Sequence, residues 1–554
     1  MTDKIIRGAG GPPPTPPPPF RAPDTLNSRQ FASIQDLISE GEIEGFATPS
    51  KAGLSKGSTA YNNAALKDIF LNDTPILNAS ASNTNPQTAD FNFQNVGFTP
   101  RFGTSNQSHV PGIEGSQSTT AVGVTVTNSS PVTRQITNTA VDAAKVTITF
   151  PQLQKATDEG DLLGSSVNLK IQVQYNSGGF TDVINDTITG RTADAYQKEY
   201  RVTFTGSFPV DIRVVRVTAD SSSTQLVDAF TWTSISEIVD DKQTYPNSAY
   251  TNLRIDSEQF SSIPKRSFRI RGVKVRIPGA GASSSGTPTV DLQTGRIIYP
   301  SGYIFNGTMG AAQWCSCPAL ILLDLLTTER YGFGTHITDS NLDLFSFIAA
   351  SKYANELVDD GFGGQEARFS CNVNIQGSTE AFTLINELAG VMRCFPIWSE
   401  GSVTISQDRP TDPSYLFSLA NVGEGGFSYS GSSLKQRHTV INVSYFNMDS
   451  REIDYEVVED TSAQNKLGII KKDVKAFACT SRGQAQRLGK AILFSEQQET
   501  EVVSFTTSID AGAIVRPGSV ISINDPVRGG ERRSGRIKSA TTTAITVDNV
   551  KDLS

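Results

Sequence analysis

DDGFGGQEARFSCNVNIQGSTEAFTLINELAGVMRCFPIWSEGSVTISQDRP, residues 359–410, puts a glycine turn, an amphipathic helix and a strand pair into one short stretch. The GFGG at 361–364 is the residue choice for a turn that needs positive φ. Phe382, Ile385, Leu388 and Met392 recur near helical spacing. They predict a helix over 379–392, capped by Ser378, with that face packed in a core. Nothing in the stretch forms a catalytic arrangement, and Cys394 sits among apolar neighbours. The order of turn, helix and strand pair reads as an α+β building element.

Working outward, 554 residues are too many for one core, and domains of ~100–200 residues suggest several. A composition of 37% apolar and 19% charged residues is that of a soluble globular protein. A net charge of -8 argues against a dedicated nucleic-acid binder, which is usually basic on one face. It permits nucleic acid to pass close by without adhering. Five cysteines, at 315, 317, 371, 394 and 479, make no disulfide framework and fit folding in a reducing cytoplasm. MTDKIIRGAGG (1–11) has no apolar signal region. The most apolar run, 319–326, is interrupted by Asp324 and is far short of the ~20 residues that span a bilayer.

Residues 1–27 form a proline-rich arm. Pro12–Pro14 and Pro16–Pro19 favour polyproline II, which has no internal hydrogen bonds. The arm is either a disordered leader or a segment that docks on a neighbouring subunit, with Pro12, Pro16 and Pro19 as candidate contacts. RQFASIQDLISEGEIEGF (29–46) reads as a short helix or strand ended by Gly41, with Ile34, Leu37 and Ile38 on one helical face. FLNDTPILN (70–78) gives a strand and a turn at Asn72-Asp73. From Ala79 to Asn138, Ser, Thr, Asn and Gly dominate, which excludes helix. VNLKIQVQY (167–175) alternates without a fault and runs into an NSGG turn at 176–179. Residues 79–227 are expected to be an all-β insertion, a sandwich.

In RSFRIRGVKVRI (266–277) the alternation slips at Gly272, which predicts a β-bulge there. The other face carries Arg269, Arg271, Lys274 and Arg276. It reads as a solvated face or a subunit contact in preference to a phosphate-binding stripe. Further helices are predicted from Pro318, a good first helical residue, to Thr328, and from Thr480 or Ser481 to Ser495. AITVDNVKDLS (544–554) still reads as sheet, so the chain is expected to stop inside a domain. The expected division is an arm at 1–27, a first domain at 28–78 plus 228–316, the insertion at 79–227, an α+β domain at 317–430, and a β-rich domain with one helix at 431–554.

Catalytic and metal chemistry find little support. Cys315-Ser316-Cys317 lacks the second ligand pair a zinc or cluster site needs. Cys371 or Cys394 could reach His438 only through folding, and both read as core. There is no G-x-S-x-G elbow. His109 and His336 have no metal-spaced partner. Acidic pairs such as Asp359-Asp360, Glu237 with Asp240-Asp241, and Asp256 with Glu258 are inevitable among 56 carboxylates. No catalytic residue, metal or cofactor is expected.

Ten pieces then occur in order: SIQDLISEGEIEG (33–45), LNDTPILN (71–78), SEIVDDKQTYPN with IDSEQF (236–260), RIRG (269–272), TTERYGFG (327–334), DGFGG (360–364), MRCFPIW (392–398), QDRP (407–410), LKQRH (434–438) and ACTSRGQAQR (478–487). Together they resemble the tail-tip hub family of lambda-like long-tailed bacteriophages, the host-specificity protein J family. The match covers most of 29–525, and the arm and 79–140 match poorly. The resemblance implies a multidomain β-rich, α+β chain with small β-barrel hub domains, an all-β insertion and a few short helices. It implies a homotrimer at the distal tail tip of the virion, synthesised in the host cytoplasm, that closes the tail channel and opens for DNA ejection. Implied partners are neighbouring distal-tail and tail-tip proteins, the tape-measure protein and, indirectly, the bacterial receptor. DNA would pass without specific binding, and the family has no catalytic residues to carry over. Two other readings stand beside it: a tail-borne peptidoglycan hydrolase, and an adhesin acting through the β insertion.

Overall fold

The computed structural model describes residues 18–260, 262–377, 380–399, 401–433, 437–528 and 536–547. The chain divides into two units, residues 1–270 and 271–554.

In chain order the longer strands of the first unit are β1 (Phe31–Glu40), β2 (Gly97–Phe102), β3 (Glu114–Thr125), β4 (Val132–Ile136), β5 (Ala143–Phe150), β6 (Ser165–Tyr175), β7 (Thr181–Gly190), β8 (Tyr196–Thr203), β9 (Val210–Arg216), β10 (Thr231–Asp240) and β11 (Ser248–Asp256). Two four-stranded antiparallel sheets, β7-β6-β9-β4 and β8-β5-β10-β3, form a sandwich around one core. The alternation of β6 decides which side is buried. Val167, Leu169, Ile171 and Val173 are fully buried, whereas Lys170 faces out and pairs with Asp182 at 2.7 Å. Val210, Ile212 and Val214 of β9, Ile148 and Phe150 of β5 and Trp232 of β10 complete the core. The turn after β6 places Asn176 and Ser177 at φ 43° and 62°, as the NSGG sequence predicts. The sandwich strands thus run from Glu114 to Asp240, with β10 as an inner strand.

β1 is a strand in the three-stranded sheet β1-β11-β2, paired from Phe31↔Asp256 to Glu40↔Ser248. The helical face expected of Ile34, Leu37 and Ile38 does not exist. Ile34 is half-buried and Leu37 faces solvent at 65% exposure. Pairing with β11 overrides a local pattern that fits both periods. Asn72 and Asp73 lie at φ 48° and 65° and close the small hairpin of Ile69–Leu71 with Thr74–Pro75. Ile69, Leu71, Ile76 and Leu77 are fully buried in a second core with Phe46, Tyr61 and Leu253.

The run 266–277 also differs from expectation. It is three strands, Arg266–Phe268, Ile270–Val273 and Val275–Pro278, broken at Arg269 and Lys274 instead of bulged at Gly272. The first piece pairs with Ile69–Leu71 and the last with Met309–Gln313. Each change of partner resets the alternation, which is the slip visible in the sequence.

The second unit contains α1 (Pro318–Thr327), α2 (Leu344–Ala354), α3 (Ala381–Val391), β12 (Cys394–Ser399), β13 (Ser402–Gln407), β14 (Val440–Asn447), β15 (Glu452–Glu459), β16 (Lys471–Lys475) and α4 (Arg482–Gln498). α1 is buried nearly all round, on the residues predicted. It shares a core with α2, α3 and the β12–β13 hairpin. α3 starts at Ala381, and the proposed cap Ser378 lies outside the described residues. Its packed face is Leu384, Leu388, Ala389 and Met392, with Ile385 at the margin. Phe382 was expected on that face and is 70% exposed. At 100° per residue it falls about a quarter-turn from the centre of the stripe.

β15-β14-β16 form a mixed sheet, with β14 antiparallel to β15 and parallel to β16. α4 covers one face through Ala485, Leu488, Ile492 and Leu493, against Ile441, Val443 and Val458. Ser481 caps α4 by accepting the Gln484 N–H at 3.1 Å, and the helix continues three residues past the predicted Ser495. The sheets of this unit have two or three strands and stay open, so the closed barrels implied by the resemblance are absent among the described residues. Strands Ile537–Ala540 and Ile545–Val547 pair, as the final segment predicted, and 548–554 lie outside the described residues. No described helix is long and apolar enough to cross a membrane.

Candidate functional site

The cysteines and His438, singled out in the sequence, are occupied in packing. All five cysteines are buried and unpaired. Burial pushes the thiols of Cys371 and Cys394 up to about 12 and that of Cys479 up to about 11. Cys315 and Cys317 are raised by the same cause. A thiol held protonated at neutral pH is a poor nucleophile and a poor metal ligand. His438 lies 2.8 Å from Glu496, whose other oxygen takes Lys472 at 3.0 Å. Among the described residues no His, Cys, Asp and Glu group is spaced to hold a metal.

The basic stripe at 269–276 is dispersed. Arg269 pairs at 2.7 Å with Asp68, a fully buried carboxylate that also accepts from the Thr48 hydroxyl at 2.8 Å. Burial raises the Asp68 pKa despite these donors. Arg271 is 2% exposed, donates to the Leu292 carbonyl and stacks on Trp314 at 4.4 Å. Arg271 therefore does not belong to a solvated face. Lys274 is half-buried. Arg276 makes a bidentate pair with Asp339 at 2.7 and 2.8 Å. Of the arm contacts, Pro12 and Pro16 lie outside the described residues, and Pro19 is exposed. The residues just after it run along their own sandwich. Phe20 N–H donates to Asp161, Leu162 N–H to the Phe20 carbonyl, and Arg191 to Asp24 at 2.7 Å, while Leu26 touches the sandwich core.

Two of the ordered motifs meet. The DGFGG turn and the residues after it close onto the start of α4. Asp360 accepts the N–H groups of Phe362 and Gly364 at 2.7 and 2.9 Å, which fixes the turn and holds its carboxyl below the usual carboxylate range. Phe362 stacks under Arg482 at 4.0 Å. Gln484 accepts the Ser370 N–H at 2.8 Å and donates back to the Ser370 carbonyl at 3.1 Å. Glu366 accepts from Arg487 at 2.8 Å. Gly483 is required here, because a Cβ would sit 2.6 Å from the Asp360 carbonyl oxygen. The sequence reading named both motifs without placing them together. Side-chain complementarity at a distance of more than a hundred residues leaves no local signal.

The face of β14 and β15 away from α4 was missed altogether. Registers Phe446↔Ile453, Ser444↔Tyr455 and Asn442↔Val457 put these side chains on one side of the sheet. Ile453 is 63% exposed, Tyr455 60%, Val457 54% and Phe446 42%. In REIDYEVVED (451–460) they alternate with acids, a pattern that shows a strand but not which side meets water.

This β-rich chain, with its inert thiols and an uncovered apolar sheet face, is similar by comparison to phage tail proteins. Residues 380–540 match the family described as "Putative phage tail protein", and residues 116–241 match the FNIII-A domain of tip attachment protein J. Tip attachment protein J of Escherichia phage SECphi27 is 29% identical over 95% of this chain and 41% of its own length. That of Escherichia phage SECphi4 is 30% identical over 98% of this chain and 45% of its own. Nearly the whole chain is thus related to the tip attachment proteins J, as the ten ordered motifs indicate, and it spans less than half the length of these curated relatives. A solved structure described as "CBM4 structure and function" aligns with a TM-score of 0.12 at 15% identity, over 32% of this chain and 95% of that one, too weak a likeness to bear on the fold.

Proposed function

We propose that this chain is a structural protein of a phage tail tip, acting in host attachment. The observation that carries the reading is end-to-end similarity, over 95–98% of the chain, to two tip attachment proteins J. In the finer form of the proposal, three copies build a hub at the distal end of the tail that closes the channel and opens for DNA. The neighbours are other distal-tail proteins and the tape-measure protein, and the bacterial receptor is engaged indirectly. The five-part division of the chain, from arm to C-terminal β-rich domain, belongs to the same proposal. Arg269, Lys274 and Arg276 keep enough exposed surface to reach a neighbour, and so does the arm. The net charge of -8 supports a channel wall to which DNA does not adhere.

The role is structural and not catalytic. Burial of every cysteine and the pairing of His438 with Glu496 support that. The test is complementation of a phage from which this gene product is removed. Tails should form with the protein present at the tip, and particles without it should lack the distal structure and fail to adsorb. Normal tips and normal adsorption without the chain contradict the proposal. A zymogram that shows cell-wall clearing by the purified chain, abolished by one carboxylate substitution, favours the hydrolase reading instead.

A further inference from the structure

The chain contains a single Asn-Gly pair, Asn306-Gly307, in the turn between Phe305 and the strand Met309–Gln313. Asn306, Gly307 and Thr308 are all exposed. Asn306 Oδ1 accepts the Thr308 N–H at 2.9 Å, which makes an Asx turn. That bond folds the side-chain amide back over the Gly307 nitrogen and polarises its carbonyl. Among the described residues the Gly307 N–H has no hydrogen-bond partner. Gly307 lies at φ 88°, and a Cβ placed there would meet no other atom within 4 Å. An electrophilic carbon, an unbonded backbone nitrogen and open space thus coincide at one exposed position.

Comparable pairs elsewhere in the chain are arranged differently. The carboxyl of Asp360, in Asp360-Gly361, accepts two N–H groups and is held ionised at neutral pH. An amide nitrogen does not attack a carboxylate. Asn176-Ser177 and Asn247-Ser248 carry a side chain beside the nitrogen that would attack, whereas Gly307 carries none.

We infer that Asn306 is a site of spontaneous modification, converted through a cyclic imide to aspartate and isoaspartate. The Gly307 nitrogen attacks Asn306 Cγ and gives up its proton. The N–Cγ bond forms, and the Cγ–Nδ2 bond breaks with release of ammonia, which carries that proton away. Water then opens the five-membered ring. Opening at Cγ leaves aspartate, and opening at the Asn306 main-chain carbonyl leaves isoaspartate. Water is the only co-reactant, and nothing is oxidised or reduced. Either product puts a negative charge next to Phe305, which is buried in the core of α1 and α2. Isoaspartate also lengthens the main chain between Phe305 and Thr308, whose carbonyl accepts the Gly279 N–H at 3.0 Å. The chemistry belongs to the turn and holds whatever the chain assembles with.

The test ages the full chain at mildly alkaline pH and follows each asparagine by mass-spectrometric peptide mapping. Asn306 should lose its amide about tenfold or more faster than Asn176 or Asn247, because glycine leaves the attacking nitrogen unhindered. An isoaspartyl methyltransferase should label the aged peptide that contains Asn306. The folded turn already holds the reacting atoms together, so the rate in the native chain should equal or exceed that in the urea-unfolded chain. Gly307→Ala should slow the loss by about tenfold or more with an unchanged circular dichroism spectrum. A smaller ratio to Asn176 and Asn247, no methyltransferase label, a native rate below the unfolded one, or unchanged loss in Gly307→Ala overturns the inference.

Discussion

At the scale of residues, the chain is held by polar groups that reach far along the sequence, and two predictions follow from named ones. Gly483 lies under the Asp360 carbonyl, where backbone atoms cannot yield cheaply. Gly483→Ala is expected to destabilise the second unit by roughly 1–3 kcal/mol, the range for overpacking a tight contact. Urea denaturation of the variant against wild type measures it, and a change within ~0.5 kcal/mol contradicts the joint described. The Arg276 guanidinium holds the Asp339 carboxyl below its ordinary range. A carboxylate with a depressed folded pKa stabilises above the unfolded value of about 3.9 and loses that contribution as pH falls through the folded value. Both partners are more than a third exposed, so the gain is below ~1 kcal/mol. Asp339→Asn should lower the urea midpoint slightly at pH 7, and the difference should shrink at a pH well below the unfolded value of about 3.9. A constant difference at both pH values contradicts the pairing.

At the scale of elements, the arm and the sandwich are coupled. Residues 20–28 add backbone hydrogen bonds at Leu162 and Arg191, the Arg191–Asp24 pair and the Leu26 contact. Deleting residues 1–28 should leave the sandwich folded but expose its edge. Hydrogen exchange at Leu162 should then speed up by at least tenfold, whereas Ile171 in the central strand stays protected. Equal rates in both forms contradict the docking. Element scale is also where the sequence was most and least legible. Val167–Val173 were readable because a faultless period of two has one meaning. Asn72-Asp73, Pro318 and Ser481 were readable because each does a local job that few residue types can do. β1 was ambiguous because its pairing with β11 is non-local. α2 was missed because Ala350, Ser351 and Ala354 are small, and burial of small residues leaves a weak apolar period. Phe382 was misplaced because spacing alone cannot locate the edge of a helical stripe.

At the scale of the whole molecule, the distribution of apolar surface is the informative quantity. The sandwich buries its apolar face completely, whereas the second unit leaves Tyr455, Trp398, Ile509 and Val527 largely in water. The face at Tyr455 was invisible in the sequence for a simple physical reason. Alternation of EIDYEVV fixes two faces and says nothing about which one α4 covers. The relatedness to tip attachment proteins J was legible, since ten short motifs in order have no local explanation even though each alone is a turn or a strand end.

The central claim is that this chain builds the end of a phage tail. Cryo-electron imaging of intact particles tests it most directly. Density at the distal tip should accept the sandwich of β3–β10 and the α4-backed sheet in three symmetry-related copies. The chain lying elsewhere in the particle, or in a sixfold ring along the tube, would contradict the account.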